Sequence, residues 1–477
     1  MGIKLFLFFL FFTLSFQIPL PKDKSSPSFL SKSFIAEVPT SDLFLHLVPI
    51  INFDSAGFIE CSDNLYQGSS DSDICIKCIF DGLFENLNEK SPKTITLTEF
   101  SYFQRYYSTT TKEKQEKIKN LVKNGNLEFC LGGYVKLSEQ MVSYENIIDQ
   151  VSFISRFLLR EFRYLPRSAC NLGTNGHSFV YNEILSQSGY DGVFIDDIDD
   201  FEAKSRKVSK DMEFYTEYTQ RLDNNSIFTH VNYLNNNETV FGDGVYQVLW
   251  TGIEGEIIQT KMKEYVEWIY QQAKFYQSRQ IMHQIGGDFK FKDATSDYVI
   301  IDFLIKFLNK NYDTFKIKAG YSTPYIYMNE LSKEKLEGKY NIYFESQHQA
   351  EANDFFLDKT PKIRSIGIFS NRQWLKGFIK ESWLIYEGYK TYLAINLLAQ
   401  YLAMSDEEKN IIFNDYEKQI GNFEKKLMVS LDDKVVSGLI QEFVARKIKA
   451  DIKDVFQENF EVFLIFSKSN FFFLIKN

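Results

Sequence analysis

The fold is decided by the stretch Val48-Pro49-Ile50-Ile51-Asn52-Phe53-Asp54-Ser55-Ala56-Gly57-Phe58. The apolar run Leu43–Ile51 indicates a buried first strand, and it stops abruptly in a polar turn that contains a glycine. α/β proteins place their chemistry in the loops that follow parallel strands. This turn is therefore expected to form the first wall of a functional site, with later strands supplying the other walls.

The composition is that of a folded globular protein. Hydrophobic residues make up 44% of the 477 residues and charged residues 25%. A chain of this length is expected to form about two or three domains. The net charge of −9 argues against nucleic acid or an anionic membrane as a partner.

The N-terminus has the pattern of a secretory signal. Lys4 is followed by an almost wholly apolar run, Leu5–Phe16, which is too short to span a bilayer and suits a signal-peptide core. We expect a signal peptide over residues 1–18 and a Ser/Pro-rich linker over 19–40. A signal anchor or an apolar N-terminal helix is the alternative. The mature chain is expected to have no membrane span and to lie in the secretory pathway, either lysosomal or extracellular.

The cysteines and the glycosylation motifs suit that compartment. In an oxidising lumen some of the five cysteines are expected to pair, and the odd number leaves at least one outside a disulfide. The Cys75-x-x-Cys78 motif also fits a redox site or half of a zinc site. No second cysteine pair completes a zinc site, so a structural role is favoured. Asn224 and Asn237 begin N-glycosylation sequons.

Short apolar runs alternate with helical patterns over about 300 residues, which predicts a parallel sheet covered by helices. The repetition favours a closed or nearly closed barrel. An open doubly wound sheet is the alternative, although no glycine-rich phosphate loop follows any of the strands. The predicted strands are Leu43–Ile51, Thr94–Phe100, Leu127–Leu131, Ala169–Leu172, Gly192–Ile195, Ile227–His230, Gln280–Ile285 and Phe315–Ala319.

The pattern becomes purely helical near residue 370. Three helices are predicted, over Trp374–Leu402, Asp406–Leu427 and Val435–Val455, and they form a helical bundle. The expected domains are a barrel over residues 41–345, a helical-bundle domain over 346–456 and an apolar C-terminal tail over 457–477.

Carboxylates gather at the predicted strand ends, where two facing acids are able to hydrolyse a glycosidic bond. They are Asp54, Glu99, the run Asp196–Asp200, and Asp288. For the run Asp196–Asp200 we favour a capping role at the following helix. Asp288 follows Gly286-Gly287 and is the better candidate for a pocket acid. The five histidines are singly spaced and form no metal motif.

Eleven short motifs, taken in chain order, make the chain resemble one family, the family 38 glycoside hydrolases. These are zinc-dependent retaining α-mannosidases, and the resemblance runs over roughly residues 43 to 450 and is strongest to the lysosomal members. It implies a seven-stranded (β/α) barrel followed by a three-helix bundle, and it implies that the C-terminal β domains of the family are missing. The motifs are Tyr102-Phe103-Gln104-Arg105-Tyr106-Tyr107, Leu127-Glu128-Phe129, Gly132-Gly133-Tyr134, Ile148-Asp149-Gln150, Gly176-His177-Ser178, Gly189-Tyr190-Asp191-Gly192-Val193-Phe194, Met212-Glu213-Phe214, Gly287-Asp288-Phe289, Tyr321-Ser322-Thr323-Pro324, Phe369-Ser370-Asn371-Arg372 and Val436-Ser437-Gly438.

The resemblance also implies site residues, and most of them are altered here. Asp288 matches the general acid/base position, whereas Gly173 stands at the position of the nucleophile, which is also a zinc ligand. The other zinc-ligand positions hold Phe53, Ser55 and Asp433. An alignment shifted by one residue makes Asp54 a weak candidate ligand. Phe58 and Tyr321 match substrate-binding positions.

These substitutions predict an α-mannosidase homologue that is inactive or severely impaired and needs no zinc. A glycan or mannoside is its expected ligand, and its family context is mannose metabolism. An active α-mannosidase with a rearranged site is the first alternative, and its support is Asp288. A glycan-binding or chaperone-like protein that is not an enzyme is the second.

Overall fold

The computed structural model describes most of the chain between residues 42 and 457. The described ranges are 42–53, 61–68, 73–173, 176–196, 198, 200–217, 226–232, 256–334, 340–344, 354–355, 367–401 and 421–457. Twelve strands are present in these ranges: β1 (Leu43–Asn52), β2 (Ile95–Leu97), β3 (Leu127–Phe129), β4 (Ser168–Asn171), β5 (His177–Ser178), β6 (Gly192–Ile195), β7 (Glu213–Glu217), β8 (Ile227–Val231), β9 (Gln280–Asp288), β10 (Ile317–Tyr321), β11 (Ile342–Phe344) and β12 (Asp354–Phe355).

Strand β1 is the centre of the first sheet. It pairs in parallel with β9 along almost its whole length, from Phe44 opposite Gln280 to Asn52 opposite Asp288. It also pairs in parallel with β10 and with β2. The eight residues between its two ends are all buried. This burial on both faces explains why the sequence is a continuous apolar run and not an alternating one.

The predicted parallel α/β organisation is confirmed, but the described strands do not form a closed barrel. They form two five-stranded sheets and a two-stranded one. The larger sheets meet at a single bridge, Leu131 to Cys170, beyond the end of the short strand β3. In the second sheet β7 pairs antiparallel with β8, which was not predicted. The expectation of a closed seven-stranded barrel therefore goes beyond the observed hydrogen bonding.

Helices cover the sheets and most begin at a polar cap. Thr111, Ser143 and Thr323 each accept a hydrogen bond from a backbone amide in the first turn of the helix that follows, which satisfies an otherwise unpaired donor. The helices that precede the bundle are Ser62–Gln67, Ile76–Asn86, Ser101–Thr109, Lys112–Lys123, Tyr144–Phe162, Phe179–Gln187, Asp200–Ser209, Glu256–Ala273, Ala294–Lys310, Tyr312–Phe315 and Pro324–Lys333.

The C-terminal part is helical, as predicted, but its last helix is interrupted. Helices Gly367–Ser370 and Gln373–Tyr401 are followed by a helical segment over residues 421–429. The predicted helix Val435–Val455 is instead a short helix, Asp433–Val436, a turn, and a second helix over 442–457. Gly438 has φ of +71° in that turn, and such a backbone conformation ends a helix. The predicted tail 457–477 lies outside the described residues, apart from residue 457.

The described part of the chain contains two disulfides, Cys75–Cys78 and Cys130–Cys170. The first joins the two cysteines of the Cys75-x-x-Cys78 motif, and its favoured structural role stays a prediction. Cys61 lies outside both disulfides. No helix in the described ranges is both long enough and apolar enough to cross a membrane.

His46 is a neutral histidine in the middle of β1. It is completely buried, with Nε2 2.8 Å from Gln280 Oε1 and Nδ1 2.8 Å from Ser322 Oγ. Gln280 uses its amide nitrogen to donate to Glu334, so its oxygen faces the ring and accepts from Nε2–H. Burial lowers the pKa of His46 to about 4, and the bond to Gln280 opposes this only in part.

We expect His46 to make the folded state less stable in acid. Above pH 6.5 the ring is neutral in both states, but below it the unfolded chain takes up a proton that the folded chain binds only near pH 4. The free energy of unfolding should therefore fall by up to about 1.4 kcal/mol per pH unit from this residue alone. Urea unfolding at several pH values should give a flatter profile for His46→Gln than for the wild type. Equal slopes would contradict this assignment.

Candidate functional site

The candidate site lies at the carboxyl ends of β1 and β9. Asn52 and Asp288 are register partners there, and the Phe289 amide donates to Asn52 O at 3.0 Å. Asp288 is exposed at the end of its strand. A small cleft of about 10 Å³, room for about one water molecule, adjoins this edge. Its lining residues are Asn52, Phe53, Thr98, Glu99, Lys136, Cys170 and Leu172.

Phe53 occupies its expected position but belongs to the core. Only 2% of its surface is exposed. Its ring lies 5.1 Å from that of Phe80, 5.9 Å from Tyr102 and 6.2 Å from Phe289, measured between ring centroids. A phenyl ring offers a metal no lone pair, so this position contributes packing and no coordination.

Gly173 stands at the position of the expected nucleophile, and its backbone amide is hydrogen-bonded to a carboxylate that follows β6. The Gly173 amide donates to Asp196 Oδ1 at 2.5 Å, and Asp196 is buried. Asp196 directly follows β6 and lies four residues before the helix Asp200–Ser209. Oδ1 of Asp196 therefore binds the backbone at Gly173, and the predicted capping role of the run Asp196–Asp200 stays a prediction. Asp197 and Asp199 lie outside the described residues.

Lys136 supplies a cation at the same place. A β-carbon built on Gly173 would lie 3.0 Å from Lys136 Nζ. Burial acts to lower the pKa of the Lys136 ammonium, but the carboxylates outweigh burial, so the pKa is raised. In order of their effect they are Asp288, Asp433, Asp196 and Asp432.

The segment around Lys136 is joined to the loop that carries two of these carboxylates. The Asp433 amide donates to Lys136 O at 2.8 Å, and Leu137 forms an antiparallel bridge with Asp432. Asp433 itself is fully buried. The helical region thus contacts the segment that carries Lys136, and the site role of position 433 stays a prediction.

A second buried network fixes the backbone behind the site. Glu139 Oε1 accepts from His177 Nδ1 at 2.9 Å, and Glu139 Oε2 accepts from the Ser178 amide at 2.6 Å. His177 Nε2 lies 2.6 Å from Asp196 O. Burial acts to lower the pKa of His177, but the charge of Glu139 and its hydrogen bond outweigh it, so the pKa is raised. His177 is therefore a positioning residue between two walls of the site.

Sequence reasoning missed Lys136 and Glu139. The available signal was a single lysine in the apolar stretch Gly132–Leu137, which follows a predicted strand. A charged residue in such a position is seldom buried without a partner. Glu139 comes three residues later and had no comparable signal.

Tyr321 is not brought to this site. Its register partner is Leu47, five residues before Asn52, and its hydroxyl donates to Asp302 at 2.9 Å. The ring is largely buried in the core. The remaining predicted site residues lie outside the described residues, and they are Asp54, Ser55, Phe58, Asn224 and Asn237.

The described residues do not fit the zinc ion that the resemblance implies. Phe53 and Gly173 offer no side-chain donor, which leaves Asp433 as the one described position that offers a ligand oxygen. In the part of the chain that the structure describes, no group of three or more His, Cys, Asp or Glu side chains is placed to hold a metal ion. A cation already beside position 173 would repel a second one.

Comparison with known proteins concerns the family to which the chain is similar. Residues 60–355 match the family model described as "Glycosyl hydrolases family 38 N-terminal domain". A probable alpha-mannosidase of Arabidopsis thaliana is 28% identical over 303 residues, which is 61% of this chain and 29% of the relative. The lysosomal alpha-mannosidase of Bos taurus is 25% identical over 462 residues, 88% of this chain and 45% of the relative. The chain thus spans less than half the length of these two relatives.

The solved structures support the same fold. An alpha-mannosidase from Enterococcus faecalis V583 superposes with a TM-score of 0.59 at 12% identity, covering 87% of this chain and 41% of that one. A likeness at this identity concerns the fold alone. The family model nevertheless covers more than half of the sequence, including β9 and Asp288 at the site, while β1 lies before the matched range. This chain therefore belongs to glycosyl hydrolase family 38.

Proposed function

We propose that this chain is a glycan-binding homologue of the α-mannosidases that has lost, or almost lost, zinc-dependent retaining hydrolysis. The observation that carries the proposal is the environment of Gly173. The position expected to hold the nucleophile has no side chain, its amide is bound by Asp196, and Lys136 Nζ lies beside it.

The chemical argument rests on what a retaining reaction needs. A carboxylate must attack the sugar carbon while a second carboxyl group, about 5–5.5 Å away, protonates the leaving oxygen. Asp288 stands at the expected acid/base position, but a glycine is unable to form the covalent intermediate. Loss of a nucleophile lowers kcat by several orders of magnitude.

Asp196 gives the second candidate function some support. It is the buried carboxylate nearest to the expected nucleophile position, so a rearranged active α-mannosidase would use Asp196 to attack and Asp288 as the acid. Against this, Asp196 accepts the Gly173 amide and its charge acts on Lys136. A carboxylate held by a hydrogen bond and a nearby cation is a weaker nucleophile.

The other elements of the proposal follow from the sequence. The ligand is a glycan with a mannoside unit, bound at the edge formed by Asn52 and Asp288. The compartment is the secretory pathway, lysosomal or extracellular, and two disulfides suit an oxidising lumen. The domain boundaries remain those proposed above, with a (β/α) domain over 41–345 and a helical domain over 346–456.

The test combines a turnover assay with a metal measurement on the purified full chain. With an aryl α-mannoside, with and without added zinc, we expect no rate above that of the Asp288→Asn variant. We also expect no stoichiometric zinc in the protein by elemental analysis. A rate that Asp288→Asn and Asp196→Asn both abolish would overturn the proposal in favour of the second candidate. Sound turnover with one bound zinc would also overturn the proposal.

A further inference from the structure

The two five-stranded sheets meet along a seam between β4 and the chain at the end of β3. Within the described residues, the backbone pairing across this seam is one parallel bridge, between Leu131 and Cys170, with a hydrogen bond from the Cys170 amide to Cys130 O at 3.1 Å. By comparison, β1 pairs with β9 from Phe44 to Asn52. The seam therefore has little of the backbone hydrogen bonding that joins neighbouring strands elsewhere in the sheets.

Side chains supply most of the connection across the seam. The Cys130–Cys170 disulfide crosses it, and both cysteines are buried. Two residues before each cysteine, the buried Glu128 carboxylate accepts a hydrogen bond from the Ser168 hydroxyl. The disulfide is thus the covalent link between a residue next to β3 in the first sheet and a residue of β4 in the second.

The end of β4 also forms a wall of the candidate site. Cys170 and Leu172 line the small cleft, together with Asn52 and Lys136. Gly173, at the expected nucleophile position, follows directly. Since Leu172 and Gly173 continue the chain from Cys170, their distance from the cleft residues of the first sheet depends on how β4 is joined to β3.

The disulfide is shielded from solvent on the side of the cleft. The two cysteines belong to an apolar cluster that includes Val48 and Ile50 of β1 and Phe194 of β6. The cleft beside Cys170 has room for about one water molecule, which is too small for a thiol or phosphine reductant. The bond is therefore protected for as long as the seam stays closed.

Forming this bond is an oxidation that needs a partner. The Cys130 and Cys170 thiols give up two electrons and two protons to a disulfide such as oxidised glutathione, which leaves as two thiols. An oxidising compartment drives this exchange forward, and a reducing one opposes it. The reduced chain would keep the backbone bridge and the Glu128–Ser168 hydrogen bond, but it would lose the covalent link.

We propose that the Cys130–Cys170 disulfide closes the seam between the two sheets and thereby fixes the Leu172-Gly173 wall, so that the candidate site is complete only in the oxidised chain. This inference goes beyond the proposed function and does not depend on what the cleft binds. It makes the oxidation of one cysteine pair a condition for a site of fixed shape.

The first test compares the oxidised full chain with the same chain reduced by TCEP in urea and returned to buffer, because reduction removes the bond and keeps every other heavy atom. Hydrogen exchange with mass spectrometry follows a peptide over residues 165–173, with a peptide over 281–285 of β9 as the internal reference. We expect the first peptide to exchange about tenfold faster or more in the reduced chain, and the second to change much less. Oxidised glutathione should restore the slow exchange. Unchanged exchange at 165–173 would overturn the proposal, as would an equal acceleration of both peptides.

The other disulfide provides the matched control. Cys75–Cys78 lies at the start of the helix Ile76–Asn86 and joins no strands. The double variant Cys130→Ala/Cys170→Ala should lower the Tm by about 5 °C or more, because this bond spans a sequence separation of 40. Cys75→Ala/Cys78→Ala, with a separation of 3, should lower it much less and leave the exchange at 165–173 unchanged. The reverse order of the two losses would overturn the proposal.

Native-state reduction keeps the proposal falsifiable if the reduced chain does not refold. Cys61, which lies outside both disulfides, is first blocked with iodoacetamide. In dilute TCEP without urea, we expect alkylation of the half-buried Cys75 and the exposed Cys78 first. Cys130 and Cys170 should react only as the exchange at 165–173 rises, and their alkylation without such a rise would overturn the proposal. These measurements use neither a mannoside nor zinc, so their failure would leave the proposed function unaffected.

Discussion

Gly286→Ala is expected to lower the free energy of unfolding by more than about 4 kcal/mol, or to prevent folding. Gly286 lies in β9 opposite Ile50, with φ of +131°, a conformation that L side chains rarely adopt. A β-carbon at this position would lie 1.9 Å from the carbonyl oxygen of Ile50. Neither partner is a flexible side chain, so the two strands must separate, and Asp288 must move with them.

Gly287→Ala is the matched control. Gly287 has nearly the same φ, +129°, but a β-carbon there meets no atom within 4 Å. We therefore expect only the cost of the strained backbone, about 1–3 kcal/mol. Thermal and urea unfolding of both variants measures the difference, and circular dichroism shows whether Gly286→Ala folds. Equal losses would contradict the close approach of Gly286 to β1.

The central strands were predictable because local signals and burial agree there. The expected strand Leu43–Ile51 is observed as Leu43–Asn52, and Gly192–Ile195 is observed without change. A short, continuous apolar run between polar turns fits few local structures other than a strand buried on both faces. The Gly286-Gly287 pair directly precedes Asp288. That the strand continues through it was not predicted, because glycine normally weakens a strand.

The centre of the site was less predictable because its contacts join distant parts of the chain. Nothing in one sequence indicates that Lys136 meets Asp433, or that Asp196 bonds the Gly173 amide. Local rules assigned Asp196 to a helix cap, since an acid before a helix is usually a cap. The antiparallel strand β7 was missed for the same reason, since its pairing depends on β8 and not on its own residues.

Glu139→Gln is expected to lower the free energy of unfolding by about 3–5 kcal/mol. The wild-type carboxylate accepts only: Oε1 takes Asn171 Nδ2 at 2.5 Å and His177 Nδ1, and Oε2 takes the Ser178 amide. A glutamine in this buried place must turn its NH₂ group towards one of these donors, whichever way it is oriented. The variant also leaves the His177 charge without its partner.

The loss should depend on pH in a direction set by His177. Its pKa is raised in the folded state, so the pair contributes fully below pH 6.5, and this contribution is lost as the pH rises through the raised value. Glu139→Gln should therefore cost more at about pH 5.5 than at about pH 9 in urea unfolding. Glu116→Gln, which breaks the exposed pair with Lys119, should cost less than about 1 kcal/mol at either pH. A pH-independent loss would show that His177 is neutral in the folded chain. Only a charged ring makes the pair contribute more to the free energy of unfolding at low pH than at high pH.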